Sequence, residues 1–278
     1  MAITNFIPEV WAAELLSSLK KALVFGDVAN HDYEGDISEA GDTVHIVNVN
    51  RPTIGDYVKN VTVISPETLT DAERVLVIDQ CKYFAFEIDD VDKRQAKGGL
   101  MTEAANEAAY GLADVVDQFV AGLFSGVQSA NQISTTSITT GALAATGLVN
   151  LKVKLDEANV PMNGRFAIVP PWYHGLLLQS DTFVQVDHAG TSEALRNGVV
   201  GRAYGFDIRL SNNVTNVTGD DYRVVAGHRS ALTFASQINK VEAYRPESSF
   251  SDALKGLSLY GAKLVRPDSA ATLIASQT

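Results

Sequence analysis

Cysteine is almost missing from these 278 residues: Cys81 is the only one. A lone cysteine forms no internal disulfide and joins no cluster of thiolates around zinc, so neither a disulfide framework nor a zinc finger is on offer. Basic charge is also scarce. Lysine and arginine total 22 against 33 acids, a net charge of −11. That balance excludes a protein whose main task is to grip phosphate backbones. No apolar run is long and charge-free enough to cross a bilayer, because the most apolar helical stretch carries Asp114 and Asp117. The start, MAITNFIPEVWAAELL, lacks the basic region followed by an apolar core of a secretory signal, so a soluble chain made in a cytoplasm is expected. Histidines stand far apart, at 31, 45, 174, 188 and 228, with no metal-ligand spacing. Gly-x-Ser-x-Gly, a Walker loop and a dinucleotide fingerprint are all absent.

What is present is patterning. Hydrophobic residues make up 46% and charged residues 20% of the chain, an ordinary globular balance with enough apolar material for a sizeable core. Trp11, Leu15, Leu16, Leu19 and Leu23 follow a helical period after Pro8, so residues 1–26 read as an amphipathic leader ending at Gly26. Its apolar face must lie on the protein's own core or on a neighbouring chain. Five acids and no lysine or arginine follow between Gly26 and Gly41, which reads as a solvated hinge.

Thr43 to Asn48 alternates as a strand, and further strands are expected at Glu73–Ile78 and Tyr83–Ile88. The stretch between, with Pro52, Gly55-Asp56 and Ser65-Pro66, reads as a long protruding hairpin. Such a two-stranded ribbon is marginal alone and calls for a surface to lie on. Cys81 sits in the strand run and is expected to be a small core residue. Asp89, Asp90 and Asp92 read as acids opening a helix and complementing its dipole, with a metal site as the alternative. Nearby Lys93 and Arg94 would pair with those acids or with a neighbouring subunit.

From Met101 to Phe124, apolar residues recur every three and four positions and predict one long helix. Residues 128–147 read as a loop with one weak strand, followed by a shorter helix over Leu148–Ala158. A buried strand at Phe166–Val169, a short helix over Trp172–Gln179, and strands at Phe206–Leu210, Tyr222–Ala226, Ile238–Tyr244 and Leu257–Val265 complete the reading. Elements alternate without a regular βαβ series, so the class is α+β.

The ordered set of elements resembles the major capsid (coat) proteins of tailed bacteriophages, the family with the Hong Kong 97 fold. Residues carrying the resemblance include Phe6-Ile7-Pro8-Glu9-Val10-Trp11-Ala12, Tyr33-Glu34-Gly35-Asp36-Ile37, Gly41-Asp42-Thr43-Val44 and Lys82-Tyr83-Phe84-Ala85-Phe86. Val160-Pro161, Pro170-Pro171-Trp172-Tyr173, Gly198-Val199-Val200-Gly201 and Tyr260-Gly261-Ala262-Lys263 continue it. The resemblance implies an N-terminal arm (1–35) and a peripheral domain (36–160) holding an extended loop near 48–75 and a spine helix near 101–125. It implies an axial domain (161–235) and a return segment to the peripheral domain (236–278). It also implies a homo-oligomer of pentamers and hexamers forming an icosahedral shell around double-stranded DNA, expanding as DNA enters, without sequence-specific binding and without a membrane. Because the chain starts directly at the arm, a separate scaffolding protein is expected, together with a portal. No catalytic residue, cofactor or metal is implied. Expected subunit-interface residues are Trp11, Leu15 and Leu16 of the arm, Arg51, Tyr57 and Lys59 of the loop, and Lys93 and Arg94. The alternatives are an encapsulin-like nanocompartment shell, a tail-tube or adaptor protein, and a metal-dependent enzyme built on Asp89, Asp90 and Asp92.

Overall fold

The computed structural model describes residues 24–32, 43–49, 54, 56, 59, 71–89, 100–180, 201–247 and 250–278. Within them the architecture is α+β: three helices and twelve strands in three sheets.

Strands β1 (Thr43–Val49) and β2 (Asp71–Val77) pair antiparallel, Thr43 opposite Val77 and Val49 opposite Asp71. They form the base of the expected ribbon. Strand β3 (Gln80–Asp89) follows two residues later but joins a different sheet, pairing antiparallel with β11 (Ser251–Leu264). Sequence reading treats the two neighbouring runs as one strand pair; instead each finds its partner elsewhere. Asp89 is the last residue of β3, not a helix start, while Asp90 and Asp92 lie outside the described residues. Cys81 is exposed on β3 and not in the core. On this narrow edge strand only one face is covered.

Helix α1 (Leu100–Leu123) confirms the long periodic segment. It lies over the three-stranded sheet of β10 (Leu232–Tyr244), β11 and β3. Ala105 and Ala109 meet Phe84, Phe86, Val241 and Leu254 there. Gly256 opposes Phe84 across the strands, and a Cβ at 256 would fall 2.2 Å from that ring. Only glycine leaves room for the aromatic to lie flat across β11.

The largest sheet runs in the order β4 (Gln132–Ser137), β12 (Ala270–Ser276), β9 (Asp221–His228), β5 (Arg165–Val169), β7 (Phe206–Leu210), β6 (Arg202–Ala203). A short β8 (Asn216–Thr218) pairs with β9. One face carries Phe166, Ile168, Val225 and Ala270 against Val116 and Val120 of α1 and Phe124 just after it. The other carries Ala167, Val169, Val224 and Leu273 against α2 (Gly141–Glu157) and α3 (Pro171–Leu178). With both faces covered, all five residues of β5 are buried.

Helix α2 begins seven residues earlier than the periodicity indicates. Thr140 caps it by accepting the Leu143 N–H on its hydroxyl at 3.3 Å. Gly147 is a packing glycine inside it, since a Cβ there would lie 2.6 Å from the Tyr173 hydroxyl. That hydroxyl donates to the Ala144 carbonyl at 2.7 Å, and burial pushes the phenol above its ordinary pKa. The sheets cut across the expected segment bounds. From the 36–160 stretch, β4 and α2 belong with β5–β9. From the 236–278 stretch, β10 and β11 pair with β3, but β12 returns to the seven-stranded sheet.

Arg165 ties the end of α2 to β5. Its buried guanidinium donates to Asp156 at 2.7 Å, to the Val160 carbonyl at 2.6 Å and to the Pro161 carbonyl at 2.9 Å. Lys152 reaches the other Asp156 oxygen at 2.5 Å, and the Lys152 and Arg165 hydrogen bonds hold the Asp156 carboxyl below its usual value of 3.8. Arg165→Met strands both carbonyls and leaves the acid short of a partner. Chemical denaturation of this variant is expected to show a loss of about 3 kcal/mol. The Asp156 contribution is present above its unfolded pKa and is lost as pH falls through the lower folded value. Melting temperatures of Asp156→Asn and the native chain are therefore expected to differ at pH 7 and to converge below the ordinary aspartate value.

Candidate functional site

Two places on this body are built from contacts between distant stretches of chain: the root at residues 24–32 and the base of the β1–β2 ribbon. At the root, Phe25, Val28 and Ala29 are buried, and the Phe25 ring lies 6.1 Å from Phe124 at the end of α1. Asn30 donates its N–H to the Leu232 carbonyl at 2.8 Å and accepts from the Phe234 N–H at 3.0 Å, adding a short parallel bridge to β10. His31 lies edge-on to Phe234, and its Nε2 sits 2.8 Å from the Gly26 carbonyl. Asp27 pairs with Arg209 of β7.

Asp117 of α1 holds the root from below. It is 2% exposed. One carboxylate oxygen accepts the Val24 N–H at 3.0 Å and the Phe25 N–H at 2.7 Å. The other accepts from Asn213 Nδ2 at 3.1 Å and the Ser211 hydroxyl at 3.4 Å. Asn213 Nδ2 also donates to Asp114 at 2.7 Å. Sequence reading missed Asp117 as a site, although a signal is visible: it stands four residues after Ala113 and three before Val120, inside the apolar stripe. A carboxylate in that stripe needs donors, and the backbone of the root provides them.

At the ribbon base, Leu76 and Ile78 are buried beside Ala235 and Leu259. Arg74 donates through Nη1 to the Leu264 carbonyl at 3.3 Å. Beyond this, Ile54, Asp56 and Lys59 are exposed, with Ile54 at 89%. Of the expected interface residues, Lys59 is thus an exposed ribbon residue. Arg51 and Tyr57 of the ribbon, Trp11, Leu15 and Leu16 of the arm, and Lys93 and Arg94 lie outside the described residues.

Next to the ribbon base, the outer face of the three-stranded sheet exposes Tyr83 at 78%, and Phe250, beside the β10–β11 connection, is 85% exposed. Lys255 pairs with Glu242 at 2.9 Å and lies over the Tyr244 ring at 5.1 Å. Among the described residues no three His, Cys, Asp or Glu side chains are placed to share a metal. Burial alone lowers the His174 pKa and leads the lowering at His228. No helix among the described residues is long and apolar enough to cross a membrane.

The family model described as "Phage capsid protein" matches residues 78–273. The chain belongs to the phage capsid protein family. Its α+β architecture is the Hong Kong 97 fold. A solved structure from Mycobacterium phage Che8 is 31% identical, with 98% of this chain and 94% of that one covered and a TM-score of 0.77. The capsid structure of the cyanophage P-SCSP1u is 21% identical, with 92% and 89% covered and a TM-score of 0.76. A virus-like particle from Pyrococcus furiosus shares the fold at 14% identity and a TM-score of 0.59, over 96% and 98% of the two chains. No curated protein matches the sequence.

Asp117→Ala leaves the Val24 and Phe25 N–H groups without an acceptor. A stability loss of about 2–4 kcal/mol is expected for these buried donors. Hydrogen exchange at Val24, Phe25 and Asn30 is expected to accelerate well before exchange in α2, which localises the effect to the root.

Proposed function

We propose that this chain is the major capsid protein of a tailed phage, self-assembling into an icosahedral shell that encloses a double-stranded DNA genome. The family match over residues 78–273 carries the reading. In this reading the seven-stranded sheet with α2 and α3 is the axial body around five- and six-fold positions. The three-stranded sheet with α1 is the peripheral body. Residues 1–35 act as the arm, and the ribbon from β1 to β2 is the extended loop lying on a neighbouring subunit. Trp11, Leu15, Leu16, Arg51, Tyr57, Lys59, Lys93 and Arg94 are the proposed contact residues. Scaffolding and portal proteins are the proposed partners, and assembly takes place in the host bacterial cytoplasm. The role is structural, not enzymatic.

The charge supports a container. A subunit of net charge −11 repels a packaged polyanion instead of binding it, so DNA is confined without being gripped. The same charge makes copies repel one another across solvent, a repulsion that salt screens. The Pyrococcus furiosus particle shares the shell fold only, whereas the family model and the 31% identical Che8 structure lie on the phage side.

Electron microscopy of the recombinant chain, alone and with a candidate scaffolding protein, tests the reading. Closed shells of uniform diameter are expected, in higher yield as salt rises from about 0.02 M to about 0.3 M. A monomer that stays dispersed at high concentration in every condition overturns it. Enzyme cargo in place of DNA in particles from infected cells transfers the chain to the nanocompartment class.

A further inference from the structure

Three arginines from distant parts of the chain converge where the two larger sheets meet. The crossing from β9 to β10 is a short helical turn, Arg229–Ala231. The crossing from β11 to β12 carries Arg266. Backbone bonds fasten the two crossings to each other. The Val265 and Arg266 N–H groups both donate to the Ala231 carbonyl, at 2.8 and 3.1 Å. The His228 N–H donates to the Ser269 carbonyl at 3.0 Å, and the Ser269 N–H donates to the Arg266 carbonyl at 3.0 Å. Arg74 of β2 reaches the same place, since its Nη1 donates to the carbonyl of Leu264, two residues before Arg266.

All three side chains are exposed. Burial leads the lowering of the His228 pKa, and the charges of Arg165, Arg266 and Arg229 add to it, so both crossings bring their positive charge to one imidazole. Arg165, Arg202, Arg209 and Arg245 each pair with a carboxylate. Arg74, Arg229 and Arg266 pair with none among the described residues, and the acid nearest Arg266 in sequence, Asp268, is exposed and joins none of them in an ion pair. In a chain with 33 acids against 22 lysines and arginines, this is a local reversal of sign on a fixed stretch of backbone. A guanidinium presents a planar fork of N–H donors that matches a carboxylate or a phosphate. Charge complementarity selects the carboxylate. Every other copy brings surplus acid, including five acids with no lysine or arginine between Gly26 and Gly41. Three cationic contacts release too few counterions for a chain of net charge −11 to hold DNA against its own repulsion.

We propose that Arg74, Arg229 and Arg266 form a carboxylate-binding surface for a second copy of this chain. The surface deepens the capsid reading and rests on it: copies that repel one another overall gain one place of mutual attraction. Such a contact steers the approach of two copies and fixes their register more than it adds strength. The backbone bonds between the crossings hold the arginines ready before the partner arrives.

Arg229→Lys with Arg266→Lys keeps the charge and supplies amines. Full-length copies of this double variant, grown in light and in heavy nitrogen, are mixed, assembled and treated with a water-soluble carbodiimide, which joins a lysine amine to a touching carboxylate as an amide. Amides from position 229 or 266 to an Asp or Glu of the opposite isotope are expected. Amides within one isotope only, or none at these positions, overturn the surface. In a second measurement, Arg229→Gln with Arg266→Gln is expected to leave the melting temperature unchanged, because both side chains are exposed and unpaired. It is expected to raise the concentration at which shells form about fivefold at ~0.15 M salt. An unchanged threshold overturns the proposal, and weaker binding of duplex DNA at that unchanged threshold assigns the arginines to the genome instead. If the glutamine variant does not fold, the lysine variant decides alone. Microscopy of the same samples keeps the two ideas apart. Shells without opposite-isotope amides overturn the surface and leave the capsid reading standing. Small oligomers joined at 229 or 266, with no shell under any condition, support the surface and count against the capsid reading.

Discussion

A carboxylate removed from water must find donors, and Asp117 finds them on two stretches of chain far from its own helix: the N–H groups of Val24 and Phe25, and the side chains of Ser211 and Asn213. The donors are two backbone N–H groups, a hydroxyl and an amide. Much of the arrangement follows. The leader root must pass beneath α1, Phe25 must enter the core beside Phe124, and Asn30 must reach β10. One carboxyl side chain thereby connects residues 24–25, the long helix and the loop that follows β7.

Around that node the body is a sandwich of layers. The seven-stranded sheet is covered on both faces, by α1 and the root on one side and by α2 and α3 on the other. The smaller sheet has α1 on its inner face and exposes Tyr83 on its outer one. α1 thus serves two sheets at once, which is why a single long helix can act as a spine. The strands that share it come from distant parts of the chain: β3 near the start of the body, β10 and β11 near its end.

Other segments have less to do with the core of one chain. The ribbon is a two-stranded element held at one end by Leu76, Ile78 and the Arg74 bond, and its Ile54 is almost wholly exposed. In the proposed shell an exposed apolar side chain such as Ile54 is one that another copy would cover. In that reading the net charge of −11 makes copies repel one another, a repulsion that salt screens. Stability of the particle and stability of the subunit are then different quantities, carried by different residues.

Local periodicity was enough for the elements that bury one face. The long stripe from Ala104 to Leu123 predicts α1, the alternation at Thr43–Asn48 predicts β1, and the turn residues between β1 and β2 predict the ribbon. It was not enough for β12, whose small residues are nearly all buried on both faces and show no alternation, whereas the exposed, mostly polar β4 falls where one weak strand is read in residues 128–147. The start of α2 was hidden because Gly141 and Gly147 are weak helix formers locally and are placed by a capping hydroxyl and by Tyr173. By itself, then, the sequence determined the class, the long helix, the pairing strands at the ribbon base and the resemblance to capsid proteins, all of which depend on spacing along the chain. Only the tertiary structure decided that β2 and β3 part into different sheets, that β12 crosses back beside β9, that Asp117 clamps the root and that Tyr260 is buried against Phe119. Those depend on which distant residues meet, and burial, unlike periodicity, is a property of the whole fold.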